Sequence, residues 1–100
     1  MDFLENDCRW ALTPETYKRY RRCLQSFRPH LLIAFATRND EPAMLEALAL
    51  CTPPPLRVRV HCRLIHNPSA PLHVLKYLQA ADDLRIREQA VKKVKYIHNF

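Results

Sequence analysis

The sequence contains no glycine among its 100 residues, and this absence narrows the classes of fold. Glycine supplies the positive φ angles of tight hairpins and of many helix C-caps. A barrel or meander built from many hairpins is therefore disfavoured, and a glycine-rich phosphate-binding loop is excluded. Eight prolines divide the chain into short segments instead, at positions 14, 29, 42, 53, 54, 55, 68 and 71.

Long apolar runs and an export signal are also missing. No apolar run approaches the roughly 20 residues that a membrane-spanning helix needs. The acidic N-terminus lacks the basic start and apolar centre of a signal peptide. We therefore expect a soluble intracellular protein of the cytoplasm or nucleus, with no membrane partner. Four cysteines are too few for a disulfide framework in a chain of this length, so we expect reduced, buried thiols.

Length and composition indicate one globular domain. Hydrophobic residues make up 48% of the chain and charged residues 26%, which is too apolar for a disordered protein. A chain of 100 residues has room for one hydrophobic core. We expect a single small helical domain over residues 1–100.

The clearest predicted helix covers residues 14–27. Thr13 offers a hydroxyl N-cap, and Pro14 suits the first helical position. One side of this helix is apolar and consists of Tyr17, Tyr20, Leu24 and Phe27. The other side carries Lys18, Arg19, Arg21 and Arg22. Pro29 disfavours helical backbone at the residue before it, so the helix ends there.

Further helical segments are predicted on both sides of the chain centre. Residues 42–51 combine a proline start with strong helix formers. Residues 70–98 predict a helical hairpin, with Ser69 as a candidate N-cap of its first helix and Asp82-Asp83 as caps of its second. The second helix has an apolar stripe formed by Ile86, Ala90, Val94 and Ile97. A weak amphipathic turn is expected over 2–11.

Two segments, 31–37 and 56–65, fit both a helix and a strand. The first is an apolar run too short for periodicity to discriminate. In the second, apolar and basic residues alternate as in a strand with one basic face, yet Val60 and Leu64 also repeat at helical spacing. We predict an all-α fold, a small bundle of helical hairpins. The alternative is an α/β fold with one βαβ unit, whose strands are 31–37 and 56–65.

Residues 71–97 read PLHVLKYLQAADDLRIREQAVKKVKYI. A leucine-rich first helix is followed by an acid in the turn, an aliphatic-arginine pair, and an alanine three residues after that arginine. These positions are Asp83, Ile86, Arg87, Ala90, Val94 and Ile97. The segment resembles a HEAT or armadillo-type helical repeat. The resemblance implies a pair of helices in which the acid caps the second helix and the small Ala90 allows close approach.

A second resemblance covers residues 56–78. The run VRVHCRLI at 58–65 contains the pair Cys62-Arg63, and the later run LHVLKYL at 72–78 contains Leu-Lys-Tyr-Leu. Together they resemble a SOCS box, the helical module through which substrate adaptors hold Elongin and Cullin proteins. This resemblance implies an adaptor role in a larger assembly.

Positive charge is concentrated in acid-free stretches. The net charge is +6, and residues 16–38 and 47–81 contain neither Asp nor Glu. Eleven of the sixteen cations are arginines, whose planar guanidinium binds carboxylate and phosphate groups bidentately. The candidate binding residues are Lys18, Arg19, Arg21, Arg22, Arg57, Arg59 and Arg63. Their charge suits an acidic protein surface or nucleic-acid phosphates.

Metal and catalytic chemistry have little support in the sequence. The candidate metal ligands are Cys51, His61, Cys62 and His66. Structural zinc sites use closely spaced cysteine pairs, which this set lacks, so we predict no metal site. No nucleophile with an adjacent base appears as a motif. We expect a protein that is not an enzyme and holds no cofactor.

These observations predict a non-enzymatic protein–protein interaction or adaptor module that acts in a larger assembly. The alternative is a basic nucleic-acid-binding accessory protein. The high arginine content, the short chain and the absence of glycine would also suit a viral accessory factor. The sequence is also compatible with a homo-oligomer.

Overall fold

The computed structural model describes residues 10–98, and this range is helical throughout its regular structure. Its six α-helices are α1 (Pro14–Ser26), α2 (Pro29–Arg38), α3 (Pro42–Cys51), α4 (Arg57–His66), α5 (Leu72–Leu78) and α6 (Leu84–His98). A short 3₁₀ helix, Pro54–Leu56, precedes α4. The all-α prediction is confirmed. The turn expected over 2–11 lies almost wholly outside the described residues.

Proline begins three of these helices. Pro14, Pro29 and Pro42 occupy the first turns of α1, α2 and α3, where a missing N–H costs no intrahelical hydrogen bond. Thr13 also closes a capping box: its Oγ1 accepts the Thr16 N–H at 3.2 Å, and its own N–H donates to Thr16 Oγ1 at 2.7 Å. The predicted start of α1 is confirmed, and the helix ends one residue early.

The alternative with strands at 31–37 and 56–65 is wrong, because both segments lie almost entirely within helices. The second segment shows the reason. It buries a stripe at helical spacing, formed by Val60, His61, Leu64 and Ile65. A strand would bury Val58 together with Val60, but Val58 is 45% exposed and Val60 is fully buried. Helical burial therefore decides the ambiguity of the alternating pattern.

α3 is the central helix of the described chain. Residues 45–49 are all buried, because α1, α2, α4 and α5 each contact this helix. Leucines dominate the core around it, including the fully buried Leu24, Leu32, Leu48, Leu64 and Leu75. The shared core fixes the six helices relative to one another, and α1, α4 and α6 have exposed residues on their outer sides.

The hairpin of α5 and α6 has the predicted cap. Asp83 Oδ1 accepts the N–H groups of Arg85 at 2.9 Å and Ile86 at 3.2 Å, at the start of α6. Arg87 Nε donates to the Ala81 carbonyl at 3.1 Å, which fastens the turn. The predicted apolar stripe of α6 is buried at Ile86, Ala90 and Val94, whereas Ile97 is 38% exposed.

The turn between α4 and α5 differs from the prediction. Pro71, not Ser69, is the N-cap of α5, and the Ser69 N–H donates to Asn67 Oδ1 at 2.7 Å. Asn67 is buried, and its Nδ2 donates to the carbonyls of Ala36 and Asn39, each at 2.9 Å. One side chain thus supplies donors for the end of α2 and orders the turn.

Candidate interaction surface

The seven predicted basic residues are all exposed, but they fall into three settings. Four of them lie on α1. Arg57, at the start of α4, lines a cleft beside α5, whereas Arg59 and Arg63 line a groove beside α2. The structure therefore separates Arg57 from Arg59 and Arg63, which lie in the same predicted segment of the sequence.

The groove between α2 and α4 has a volume of about 500 Å³. It is lined by Ile33, Val58, Arg59, Cys62, Arg63 and His66. The five α4 residues form two adjacent rows on one side of the helix, because the residues within each row are four positions apart. Cations and apolar groups alternate along this side, and no acid of residues 10–97 lines the groove.

A second pocket, of about 370 Å³, lies between α4 and α6. Its lining residues are Ile65, His66, Gln89, Lys92, Lys93 and Tyr96. Ile65 is buried and Tyr96 is 60% exposed, so apolar surface is bordered by two ammonium groups. Cys62 Sγ donates to Gln89 Oε1 at 3.7 Å and links the two helices beside the pocket.

His66 lines both openings, so their basic residues form one surface. We call Arg59, Arg63, His66, Lys92 and Lys93 the basic face. Among residues 10–97, no carboxylate lies within 4.0 Å of its lysine or arginine side chains. Within the described residues this positive charge has no ion-paired carboxylate, so it favours acidic ligands.

Sequence reasoning missed Lys92 and Lys93 as members of this surface. They lie about thirty positions after Arg59 and Arg63 and join them only because α6 packs against α4. The available signal was the run of lysines near the end of the last helix, which is equally typical of ordinary helix C-terminal charge.

The α1 cations share their helix with two half-buried tyrosines, Tyr17 and Tyr20. Lys18, Arg19 and Arg22 are exposed. Burial raises the pKa of the Tyr17 hydroxyl and of the Cys51 thiol, and the charge of Arg21 opposes both shifts. Arg21 therefore lies close to the α1–α3 contact, and the charge of Arg19 likewise opposes the rise in the pKa of Tyr20 that burial causes.

The cleft beside Arg57 has a volume of about 300 Å³ and is also lined by His61, Tyr77 and Asp82. His61 is buried, and its Nε2 lies 3.0 Å from the Ala49 carbonyl. Burial lowers the pKa of His61, although the hydrogen bond to Ala49 opposes the shift. The imidazole is therefore neutral at pH 7. Its Nε2 carries the proton and donates to the Ala49 carbonyl, so His61 packs within the core.

The four candidate metal ligands have separate neighbours. Cys51 lies near Tyr17, which opposes the rise in the pKa of the thiol that burial causes, and His61, Cys62 and His66 have the settings given above. No group of three or more His, Cys, Asp or Glu residues within the described range is arranged to hold a metal ion.

The cysteines of the described chain are free thiols. Cys51 and Cys62 are half-buried, whereas Cys23 is exposed. The prediction of buried thiols is therefore wrong for Cys23. The side of α1 that packs against the core contains Leu24, and Cys23 lies outside it. Cys8 lies outside the described residues.

Glu46 is a buried carboxylate that sequence reasoning did not select. It is completely buried in α3. The Ala11 N–H lies 2.9 Å from Oε1 and 2.8 Å from Oε2, and the Leu12 N–H donates to Oε1 at 2.9 Å. His73 Nε2 lies 2.7 Å from Oε2. The carboxylate thus binds the segment before α1 to the helical core.

Aromatic rings complete this buried contact. The ring centroids of Trp10 and His73 are 4.8 Å apart, and those of Trp10 and Tyr77 are 5.9 Å apart, both edge to face. The signal in the sequence was an acid within the apolar run of 42–51. A single acid at one helical position is also typical of an exposed side, so this signal did not discriminate.

Comparison with known protein families, curated proteins and solved structures gives no match to this chain. The resemblances to a helical repeat and to a SOCS box therefore stay predictions. Among the described residues, no helix has both the length and the apolar character needed to cross a membrane.

Proposed function

We propose that this chain is a non-enzymatic protein-interaction module, which binds an acidic region of a partner protein through the basic face and acts in a larger assembly. The observation that carries the proposal is the mixture of groups on that surface. Arg59 and Arg63 lie among Ile33, Val58 and Cys62 in one groove. Protein interfaces combine apolar contact area with complementary charges in this way.

The neighbouring contacts support a preformed surface. Arg59 and Arg63 belong to a helix whose opposite side is held in the core by Val60 and Leu64. Side chains on a packed helix lose less conformational freedom on binding than those on a loop. These arginines have no ion-paired carboxylate among the described residues, so no ion pair within that part of the chain has to break when a ligand approaches.

The test compares two charge-reversed proteins that change equal numbers of exposed arginines. One carries Arg59→Glu and Arg63→Glu in the basic face. The matched control carries Arg19→Glu and Arg22→Glu in α1. Each protein, and the wild type, is used for affinity capture from nuclease-treated lysate of the cells that produce it.

We expect wild type and the α1 variant to retain the same proteins, and the basic-face variant to lose them. Circular dichroism melting establishes that both variants fold. If the folded basic-face variant retains every partner, the proposed binding surface is wrong.

Nucleic-acid binding through α1 is the second candidate function. Lys18, Arg19, Arg21 and Arg22 lie within five residues of one helix, and none has an ion-paired carboxylate within residues 10–97. Such a cluster can follow a phosphate backbone.

A duplex DNA titration at several salt concentrations tests this candidate. Phosphate binding predicts that the logarithm of the affinity falls with the logarithm of salt, with a slope of about −0.9 per phosphate contacted. It also predicts loss of binding in the α1 variant. Weak wild-type binding that the α1 variant leaves unchanged would show that these cations only contact solvent.

A further inference from the structure

Resting on the proposed function, we infer that the basic face takes a short linear segment of a partner protein with two carboxylates and one apolar side chain. The carboxylates pair with Arg59 and Arg63. The apolar side chain enters the pocket between α4 and α6.

The spacing of the two arginines sets the spacing of the carboxylates. Arg59 and Arg63 are four residues apart on α4, so their side chains start about 6 Å apart. Alternate residues of an extended chain lie about 6.6 Å apart and on the same side. Two acidic residues separated by one residue therefore match the two guanidinium groups.

The same geometry places the apolar residue. From Arg59 to His66, α4 rises by about 10.5 Å, and His66 is where the groove meets the α4–α6 pocket. An extended ligand covers about 13 Å over four residues. The apolar side chain thus belongs four positions from the first acid, in the pattern acid-x-acid-x-apolar.

The α4–α6 pocket has the character that such a side chain needs. Ile65 is only 1% exposed and forms apolar floor. Lys92 and Lys93 contribute aliphatic stems to the lining, with ammonium groups that can remain in water. The volume of about 370 Å³ is sufficient for a leucine or phenylalanine side chain.

Other occupants fit the surface less well. A nucleic acid would pair its phosphates with the arginines, but it offers no aliphatic group for the pocket beside Ile65. A second copy of this chain would bring its own excess of positive charge, at +6 per chain, towards an already basic face. Charge and apolar surface together therefore favour an acidic peptide segment.

Fluorescence anisotropy with labelled peptides of about eight residues tests the inference. The first peptide has two glutamates separated by one residue and a leucine two positions after the second, in a glycine-serine background. The second peptide replaces that leucine with serine. A labelled single-stranded RNA of similar length is the third probe, and each is titrated with the full-length protein.

We expect the leucine peptide to bind wild type about tenfold or more tightly than the serine peptide, because only leucine buries apolar surface. We expect Arg59→Glu with Arg63→Glu to weaken its binding about tenfold or more. Arg19→Glu with Arg22→Glu, the matched control, should leave it unchanged. Arg59→Gln with Arg63→Gln serves as a milder second variant if the reversed protein folds poorly.

Several results would overturn the inference. Equal binding of the leucine and serine peptides removes the apolar anchor, although loss of binding in the basic-face variant would still support the proposed function. RNA that binds this face more tightly than either peptide rejects both proposals. No peptide binding, or a concentration-dependent dimer abolished by Arg59→Glu with Arg63→Glu, rejects the linear acidic segment as the occupant.

Discussion

Glu46 joins three parts of the chain through one buried side chain. Its buried carboxylate receives two backbone N–H groups from residues 34 and 35 positions earlier, and contacts an imidazole 27 positions later. A charged group is stable inside a protein only when such partners replace its hydration. The proline start and the strong helix formers of residues 42–51 predicted α3, but they gave no information on contacts so distant in the sequence.

Removing the Glu46 side chain should lower the free energy of unfolding substantially. Glu46→Ala leaves the Ala11 and Leu12 N–H groups and His73 without their shared acceptor, so we expect the free energy of unfolding to fall by about 3–5 kcal/mol. Urea denaturation followed by circular dichroism measures the change. Glu88→Ala, at an exposed acid of α6, is the control and should change the free energy of unfolding by about 0.5 kcal/mol or less. Equal midpoints for the two variants would contradict the buried carboxylate.

His61 predicts a dependence of stability on pH. Burial lowers the pKa of His61 below its ordinary value of about 6.5, so between these two pKa values the unfolded chain binds a proton that the folded chain does not. The contribution of His61 therefore favours folding above the unfolded pKa, and stability declines as pH falls below it. Between pH 7 and 5.5, we expect the free energy of unfolding of the His61→Gln variant to fall less than that of wild type. Parallel pH profiles of the denaturation midpoint would show that His61 does not contribute.

At the scale of the element, the sequence predicted helices best where a helix-capping signal was followed by an apolar stripe at helical spacing. Thr13 and Pro14 marked α1, and Asp83 marked α6, because caps act over a few residues. α4 was ambiguous since its apolar residues repeat at both two and four positions. Only its packing against α2, α3 and α6 selects the helix, and that packing is not a local property of the sequence.

Two lysine substitutions in α4 separate the helix from the strand. On a strand, Val58 and Val60 would share one side. On α4, Val58 is 45% exposed and Val60 is fully buried. We expect Val58→Lys to change the free energy of unfolding by about 0.5 kcal/mol or less, and Val60→Lys to cost several-fold more. Thermal melting measures both, and an equal loss in the two variants would count against the helix.

At the scale of the whole molecule, charge and packing together define where binding is proposed. The acid-free stretches of the sequence correctly marked exposed arginines, but the sequence could not tell which cations of different helices share a surface. Packing of α6 on α4 adds Lys92 and Lys93 to Arg59 and Arg63, whereas the α1 cations lie on a different helix. The basic face is therefore a product of tertiary structure, and its predicted partner is an acidic protein segment.

Nuclear magnetic resonance mapping tests this central claim most directly, since a chain of 11.8 kDa suits residue-by-residue amide assignment. The ¹⁵N-labelled protein is titrated with the glutamate-leucine peptide, and the amide shifts are assigned to their helices. We predict that the largest shifts fall in α4 and α6, around Arg63, His66 and Lys92, with α1 nearly unchanged. Shifts concentrated in α1, or the absence of saturable shifts in α4 and α6, would contradict the account.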